Sequence, residues 1–189
     1  MTPCSARASC RWARVLVSGA AGGVGTAGVQ LAALAGARVT ATVRDPARRD
    51  AVAALGADVV LAPGDEVAQA PYDVVLELVG APSLTNVLPH LATWGRVVVI
   101  GVGGGGRMEI ELMDLMRKRI SIGGSTLRAR DRREKADVAA DVAAHVLPGL
   151  GAGRLQVPVH STFPLAEAEA AYDHFAAGSK FGKVVLVAP

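Results

Sequence analysis

Residues 15–25 read Val-Leu-Val-Ser-Gly-Ala-Ala-Gly-Gly-Val-Gly, which predicts a buried strand that turns through glycines into a helix over residues 26–34. Such a turn needs small residues at three positions, because the chain reverses, a phosphate approaches the backbone, and the helix packs against the sheet. Ala20, Gly22 and Gly25 occupy these positions. The first N–H groups of the helix would face an anion. The stretch therefore predicts a phosphate-binding turn, although a tight turn in any α/β protein could carry the same residues.

The residue at the tip of the second predicted strand indicates which dinucleotide the turn would bind. Residues 38–43 form a second apolar run, and Arg44 follows it directly. An Asp or Glu at this position binds the adenosine ribose, whereas the guanidinium fork of an Arg suits a 2′-phosphate. Arg44 therefore predicts NADPH rather than NADH. Arg48 and Arg49 either extend this basic pocket or form the solvated start of the next helix, and Asp45 could still bind an unphosphorylated ribose.

The composition predicts a single α/β core. The chain has 189 residues, of which 51% are hydrophobic and only 4% aromatic, as in parallel strands that alanine-rich helices cover on both faces. This length suits one substantial core, with or without an appendage. The net charge is +3, but the arginines are dispersed and no basic stripe carries interleaved aromatic residues. Nucleic acid is therefore not an expected partner.

The cysteine and hydropathy patterns limit the possible environments. Cys4 and Cys10 have no partners at metal-ligand spacing, which argues against a zinc site and against a disulfide scaffold. We therefore predict a cytoplasmic protein. No apolar run has the length of a signal-peptide core or of a bilayer span, so membrane association is not expected. Residues 1–14 are polar and aperiodic, and we expect them to be a leader that is either disordered or misassigned.

Strands and helices alternate along the rest of the chain, as the βαβ pattern of a parallel sheet requires. Further strands are predicted at 58–61, 72–79, 96–100 and 120–123, and helices at 46–55, 65–69 and 82–91. The last part comprises an amphipathic helix over 131–147, a segment over 157–163, a helix over 165–177 and a strand over 183–187. The expected fold is α/β, a Rossmann-type doubly wound sheet of six parallel strands with a C-terminal helix and strand appendage.

Ligands of doubly wound sheets bind at the carboxyl ends of the strands. Val79 and Gly80 end the fourth predicted strand, and Gly101 and Val102 follow the fifth. We therefore expect the nicotinamide and its ribose to pass between these two pairs. The glycine run that follows, residues 103–106, is either a loop shaped around the ligand or a flexible linker.

Several motifs together resemble one protein family. They are Gly-Ala-Ala-Gly-Gly-Val-Gly at 19–25, Tyr-Asp-Val-Val-Leu-Glu-Leu-Val-Gly at 72–80, Gly-Ser-Thr-Leu-Arg-Ala-Arg at 124–130, Phe-Pro-Leu-Ala-Glu-Ala at 163–168 and Gly-Lys-Val-Val-Leu at 182–186. From about Arg14 to Val187 the sequence resembles the medium-chain dehydrogenase/reductase superfamily and, within it, the zinc-independent NADPH:quinone oxidoreductases.

The resemblance implies a cofactor role for particular residues. Ala21 to Val24 would bind the pyrophosphate and Arg44 the 2′-phosphate, while Ala81 and residues 100–103 would line the nicotinamide side, with Ser125 and Thr126 on its far wall. The candidate cofactor-binding residues are Ala20, Ala21, Gly22, Gly23, Val24, Gly25, Arg44, Val79, Gly80, Ala81, Ile100, Gly101, Val102, Gly103, Ser125 and Thr126. No catalytic residue or metal ligand is assigned, since His90, His145, His160 and His174 each stand isolated in the sequence.

The resemblance also implies a division of the chain. Members of this family carry a GroES-like barrel domain before the region matched here, and that domain supplies most of the substrate pocket. We therefore interpret residues 1–14 as a leader, 15–127 as the dinucleotide-binding domain and 128–189 as a segment that in the family completes the barrel domain. The final strand would then lack its usual neighbours, and it would join the main sheet, pair with another chain or fray.

Two functions follow from these expectations. The first is an oxidoreductase that moves hydride from NADPH to a quinone, enone or carbonyl acceptor. The second is a catalytically inactive nucleotide-binding module that needs a partner chain. Short-chain dehydrogenases are excluded because Tyr72 and Tyr172 lack a Lys four residues later, and nucleoside triphosphatases because Thr26 and Ala27 follow the last glycine. By resemblance, the sixth strand would pair across a homodimer axis.

Overall fold

Six parallel strands form one sheet in the computed structural model, which describes residues 12–178 and 180–189. The strands are β1 (Arg14–Val17), β2 (Arg38–Thr42), β3 (Val59–Leu61), β4 (Tyr72–Glu77), β5 (Leu91–Val99) and β6 (Ser121–Gly124). Their spatial order is β3-β2-β1-β4-β5-β6. The chain builds outward from β1 on one side and then crosses to the other, so the strand order reverses between β1 and β4. The predicted Rossmann-type sheet is confirmed.

Helices connect the strands along the chain, and α1 and α3 contribute buried side chains to the cores beside the six-stranded sheet. They are α1 (Gly23–Leu34), α2 (Arg49–Ala53), α3 (Ala81–Val87), α4 (Leu112–Lys118), α5 (Arg132–His145), α6 (Leu147–Gly151) and α7 (Ala168–Ala176). Single 3₁₀ turns occur at Pro46–Arg48, Asp65–Gln69, Leu88–His90 and Leu165–Glu167. None of the described helices is long and apolar enough to cross a membrane.

The sheet separates two apolar cores, as the alternation of side chains along β1 requires. Val15 and Val17 belong to the core that includes Val29 of α1, whereas Leu16 belongs to the opposite core with Leu84 of α3. Burying each such side chain contributes about 1.5–3 kcal/mol.

Tyr72 anchors the second core at the start of β4. Its side chain is almost fully buried, and its hydroxyl donates to the carbonyl oxygen of Glu66 at 2.7 Å. Burial raises the pKa of Tyr72 above its ordinary value. The tyrosine therefore remains a hydrogen-bond donor at neutral pH.

The boundary between α3 and β5 differs from the sequence prediction. A helix was expected over 82–91 and a strand from 96, but the α-helix ends at Val87 and β5 already begins at Leu91. Pro89 has no N–H to continue the helix, and Leu91 pairs with Tyr72 of β4. The register then shifts so that Val74 lies opposite Arg96. Residues 92–95 of β5 form an irregularity in the pairing with β4. The apolar periodicity of the sequence did not predict it.

The C-terminal residues form a second, smaller layer. Strand β7 (Val159–Pro164) pairs in parallel with β8 (Lys183–Val187), and α7 connects them. The predicted strand over 183–187 is thus present, but the expectation that it would join the main sheet, pair with another chain or fray is wrong, because β7 of the same chain pairs with it. Gln30 of α1 ties this layer to the main body through two hydrogen bonds with the backbone of Gln156, at 2.9 and 2.8 Å.

Other predicted boundaries shift by small amounts. The helix expected over 46–55 is a 3₁₀ turn followed by the short α2, and α4 was not predicted at all. Most of the predicted leader, with Cys4 and Cys10, lies outside the described residues. Within them, Ala13 is buried and Arg14 begins β1, and the leader over the remaining residues stays a prediction.

Candidate dinucleotide site at the carboxyl edge of the sheet

The predicted site residues lie in one row along the sheet. The neighbouring strands β2, β1, β4, β5 and β6 are parallel, so their carboxyl ends share one edge. Each of these strands is followed at this edge by a predicted site segment. In the order of the strands these are Arg44, residues 20–25, residues 79–81, residues 100–103, and Ser125 with Thr126. At about 4.8 Å between neighbouring strands, the row extends roughly 19 Å. The fold thus brings every predicted position to one edge, while the role of each position stays a prediction.

The glycine-rich turn is held from both sides. The Gly19 N–H donates to the Thr42 hydroxyl at 3.2 Å, and the Ala20 N–H donates to the Thr42 carbonyl at 3.0 Å. Gly25 packs directly behind the turn, where a Cβ would lie 2.6 Å from both Ala20 Cα and Gly19 O. Gly22 faces open space instead, because a Cβ there would meet only Gly19 O, at 3.8 Å. The turn is therefore closely packed at Gly25, whereas the position of a side chain on Gly22 is open.

The amino end of α1 is available to an anion. Gly22 is the N-cap residue, no side chain caps the helix, and its first turn contains no acidic residue. The first backbone bond of the helix is donated by the Thr26 N–H to Gly22 O at 2.8 Å. The N–H groups before Thr26 thus have no acceptor within the helix. Together with the helix dipole, they favour a negatively charged ligand in front of the turn.

Arg44 lies exposed beside this turn, at the end of β2. Its Nη2 atom is 3.9 Å from the position that a Cβ on Gly178 would take. Asp45 is already engaged: it caps the following 3₁₀ turn through the Ala47 N–H at 3.0 Å, and its carboxylate lies 3.7 Å from Arg48 Nε. These contacts use only part of the acceptor capacity of Asp45, and its role as a ribose ligand stays a prediction. Among the described residues, no carboxylate forms an ion pair with Arg44.

Sequence reasoning missed Glu77, which lies under the row at the end of β4. Its side chain is 0% exposed. Its Oε1 accepts from the Ser18 hydroxyl at 2.8 Å and from the N–H groups of Val79 and Gly80 at 2.7 and 2.8 Å, and its Oε2 accepts from the Ser83 hydroxyl at 2.9 Å. The carboxylate therefore links the residue after β1, the turn after β4 and the start of α3.

The contacts of Glu77 also explain why β4 ends earlier than the predicted residue 79. The carboxylate captures the two N–H groups that follow, and Gly80 takes a φ of +111°, which a side chain would strain. The sequence carried a signal for this arrangement. A single acidic residue within the apolar run Val-Val-Leu-Glu-Leu-Val needs several donors if the run is buried.

The glycine run after β5 is an ordered loop. The Gly104 N–H donates to Val79 O at 2.8 Å, and the Ala81 N–H donates to Gly105 O at 2.8 Å. Close approach requires glycine here, since a Cβ on Gly80 would lie 2.4 Å from Gly105 O and one on Gly101 would lie 2.6 Å from Leu78 O. Of the two interpretations left open for 103–106, these contacts favour the shaped loop over the flexible linker, and its role toward a ligand stays a prediction.

Ser125 and Thr126 line a shallow cavity of about 330 Å³ after β6. The Ser125 N–H donates to Val99 O of the neighbouring strand at 3.0 Å, and its hydroxyl accepts from Arg130 Nη2 at 3.0 Å. The cavity is predominantly polar and is also lined by Glu134. This end of the row can therefore offer a hydroxyl and a guanidinium to a ligand.

The histidines belong to other elements. His90 precedes β5, His145 ends α5, and His160 stacks on His174 with ring centroids 5.4 Å apart. In the part of the chain that the structure describes, no group of three or more His, Cys, Asp or Glu side chains could hold a metal ion.

Comparison with known sequences relates the chain to dehydrogenases. Residues 23–144 match the zinc-binding dehydrogenase family. The chain is 32% identical to the quinone oxidoreductase of Mus musculus over 187 residues, which cover 92% of this chain and 54% of that protein. The chain thus spans about half the length of the curated relatives it matches.

The chain is also similar to solved structures of dehydrogenases and related proteins. A thermostable alcohol dehydrogenase from Pyrobaculum aerophilum is 33% identical, with a TM-score of 0.80 over 96% of this chain and 52% of that one. A mycobacterial protein solved in complex with NADPH is 27% identical, with a TM-score of 0.79 over 94% of this chain and 57% of that one.

Proposed function

The chain belongs to the zinc-binding dehydrogenase family, and on that premise we propose that it is the NADPH-binding part of an oxidoreductase that transfers hydride to a quinone, enone or carbonyl acceptor. The observation that carries the proposal is the glycine-rich turn beside Arg44, at the point where the strand order reverses. The names of two relatives support it, since one is a quinone oxidoreductase and the other was solved with NADPH.

The proposed cofactor lies along the row of turns. Its diphosphate faces the turn over 21–24, and Arg44 binds the 2′-phosphate. Its nicotinamide half extends past residues 79–81 and 100–103 towards Ser125 and Thr126. The described residues fit such a ligand, because Gly22 leaves the turn open and the first N–H groups of α1 have no intrahelical acceptor.

This placement assigns different roles to the cofactor and to the protein. The reduced nicotinamide supplies the hydride, and the protein binds and orients it. Glu77 fixes the Val79-Gly80 turn on which the nicotinamide half rests, and Gly104 and Gly105 brace that turn from the other side. Although the family is named for zinc, the described residues form no three-ligand cluster, so we assign them no metal site.

Arg44→Ala tests the cofactor assignment. We expect it to weaken NADPH binding by about 1.5 kcal/mol or more, roughly tenfold in Kd, because the variant loses a charge-assisted bond to the 2′-phosphate. NADH, which lacks this phosphate, should bind unchanged. Fluorescence titration of both dinucleotides measures this. Arg38→Ala is the matched control, since Arg38 is exposed at the opposite end of the same strand.

Equal effects of Arg44→Ala on the two dinucleotides would contradict NADPH selectivity. Adding quinone, enone or carbonyl compounds to the bound NADPH then tests the transfer step. Oxidation that depends on one acceptor class supports the oxidoreductase and identifies its acceptor. Tight binding without oxidation by any class favours the alternative, a binding module that needs a partner chain.

We also propose that two copies associate through β6. This strand ends the sheet order, and its four residues are exposed, so one edge of polar backbone groups is open to a second copy. Ile122→Lys should convert a dimer to monomers in sedimentation experiments, because a charge on an edge strand opposes pairing. Val142→Lys, at a comparably exposed position on α5, is the control. A wild-type monomer at tens of micromolar, on the order of usual assay concentrations, would contradict the proposal.

A further inference from the structure

Gly182, the residue before β8, is attached to the glycine-rich turn. The Gly182 N–H donates to Ala21 O at 2.9 Å, and Gly182 forms a parallel bridge with Gly22. Gly182 has a φ of +82°, and a Cβ there would lie 2.1 Å from Pro158 O. The backbone thus fixes where the next residue, Lys183, begins.

The side chain of Lys183 crosses the first residue of α1. A Cβ built on Gly23 would lie 2.7 Å from Lys183 Cδ, 2.8 Å from Cε and 3.0 Å from Nζ. The aliphatic part of the side chain therefore passes over Gly23. Its ammonium group lies beside Gly23, at the amino end of the helix.

This position is electrostatically unfavourable for a cation without an anion. The amino end of a helix carries about half a positive charge, which repels an ammonium group. No acidic residue lies in the first turn of α1, and in the described ranges 12–178 and 180–189 no carboxylate pairs with Lys183. Backbone N–H groups without an intrahelical acceptor and an ammonium group thus lie at the same end of α1, and a ligand with two or more negative charges could interact with both.

We infer that Lys183 binds the diphosphate of the dinucleotide, an inference that rests on the function proposed above. The C-terminal layer would then contribute a cofactor-binding residue to the main sheet. Its role differs from that of Arg44, because the diphosphate is common to NADPH and NADH whereas the 2′-phosphate is not. Lys183 sets the affinity for both dinucleotides, and Arg44 sets the preference between them.

Lys183→Met tests the inference, because methionine keeps most of the aliphatic length and removes the charge. We expect the Kd values of NADPH and NADH to rise by the same factor, about tenfold, and their dependence on salt concentration to weaken. Lys183→Arg should restore much of the affinity. Lys180→Met is the control, since the Lys180 ammonium lies over the Phe175 ring, 3.4 Å from its centroid. The unfolding temperature without ligand separates lost binding from lost folding.

The outcomes separate the inference from the proposed function. If wild type binds NADPH and Lys183→Met binds it equally well, the inference is wrong and the proposed function stands. If Lys183→Met weakens NADPH alone, the lysine contacts the 2′-phosphate and the diphosphate assignment is wrong. If wild type binds neither dinucleotide, both the function and the inference fail.

Discussion

Glu77→Met should lower the free energy of unfolding by about 4 kcal/mol, because it removes the shared acceptor of four donors in a fully buried position. Each buried polar group left unsatisfied costs about 1–3 kcal/mol. The Ser18 and Ser83 hydroxyls can rotate towards other acceptors, but the N–H groups of Val79 and Gly80 cannot. In thermal denaturation this corresponds to a decrease of roughly 10 °C in Tm for a chain of this size.

Glu77→Gln is the matched control for this prediction. Its amide oxygen can accept the bonds that Oε1 accepts now, and its amide nitrogen can donate to the Ser83 hydroxyl, which rotates to accept. We expect this variant to lose only about 1 kcal/mol, the difference between charged and neutral hydrogen bonds. If the two variants were equally destabilised, the charge of the carboxylate would matter more than its hydrogen bonds. If neither were destabilised, the network would contribute nothing to folding.

The arrangement of the site was predictable because a parallel sheet converts positions in the sequence into positions in space. Once β1, β2 and β4 were located, the rule that ligands bind at carboxyl ends brought Arg44 and Val79 to the same edge as the glycine turn. The glycines between β1 and α1 also predicted a tight turn, because the chain must reverse and pack against the sheet within a few residues. Local chemistry and a general topological rule were sufficient for this part.

The contacts that Glu77 and Lys183 make with residues near the glycine-rich turn could not be predicted in the same way. The Glu77 carboxylate reaches Ser18, which directly follows β1 and lies 59 positions earlier in the sequence. Lys183 reaches Gly23 only because β8 pairs with β7, a pairing that the sequence analysis did not anticipate. Such contacts depend on how distant segments pack, and neither hydrophobic period nor residue propensity encodes them.

The irregular start of β5 shows where apolar periodicity fails to predict the end of a helix. Residues 84–91 repeat apolar side chains at helical spacing, so periodicity extended the helix to Leu91. Pro89 carried the opposing signal, because it lacks an N–H and disfavours a helical conformation at the residue before it. Weighing the proline above the period would have ended the helix close to its observed end at Val87.

The second large effect is expected at Gly25. In Gly25→Ala the new methyl group would lie 2.6 Å from Ala20 Cα and from Gly19 O, and 2.7 Å from Ala20 C. These are backbone atoms, and hydrogen bonds to Thr42 hold that backbone in place. We expect a loss of about 3 kcal/mol in the free energy of unfolding, measured by denaturant titration, together with the loss of NADPH binding.

Gly22→Ala tests whether glycine is required at this position for folding or for NADPH binding. Gly22 has a φ of −76° and a ψ of 167°, which alanine adopts readily, and its methyl group would meet only Gly19 O at 3.8 Å. The free energy of unfolding should therefore change by no more than about 0.5 kcal/mol. The methyl group would nevertheless project into the space proposed for the diphosphate, so NADPH affinity should fall at least tenfold, on the order of 1.4 kcal/mol. Unchanged affinity in Gly22→Ala would mean that no phosphate approaches the turn from its open face, because that approach requires the absence of a side chain at this position.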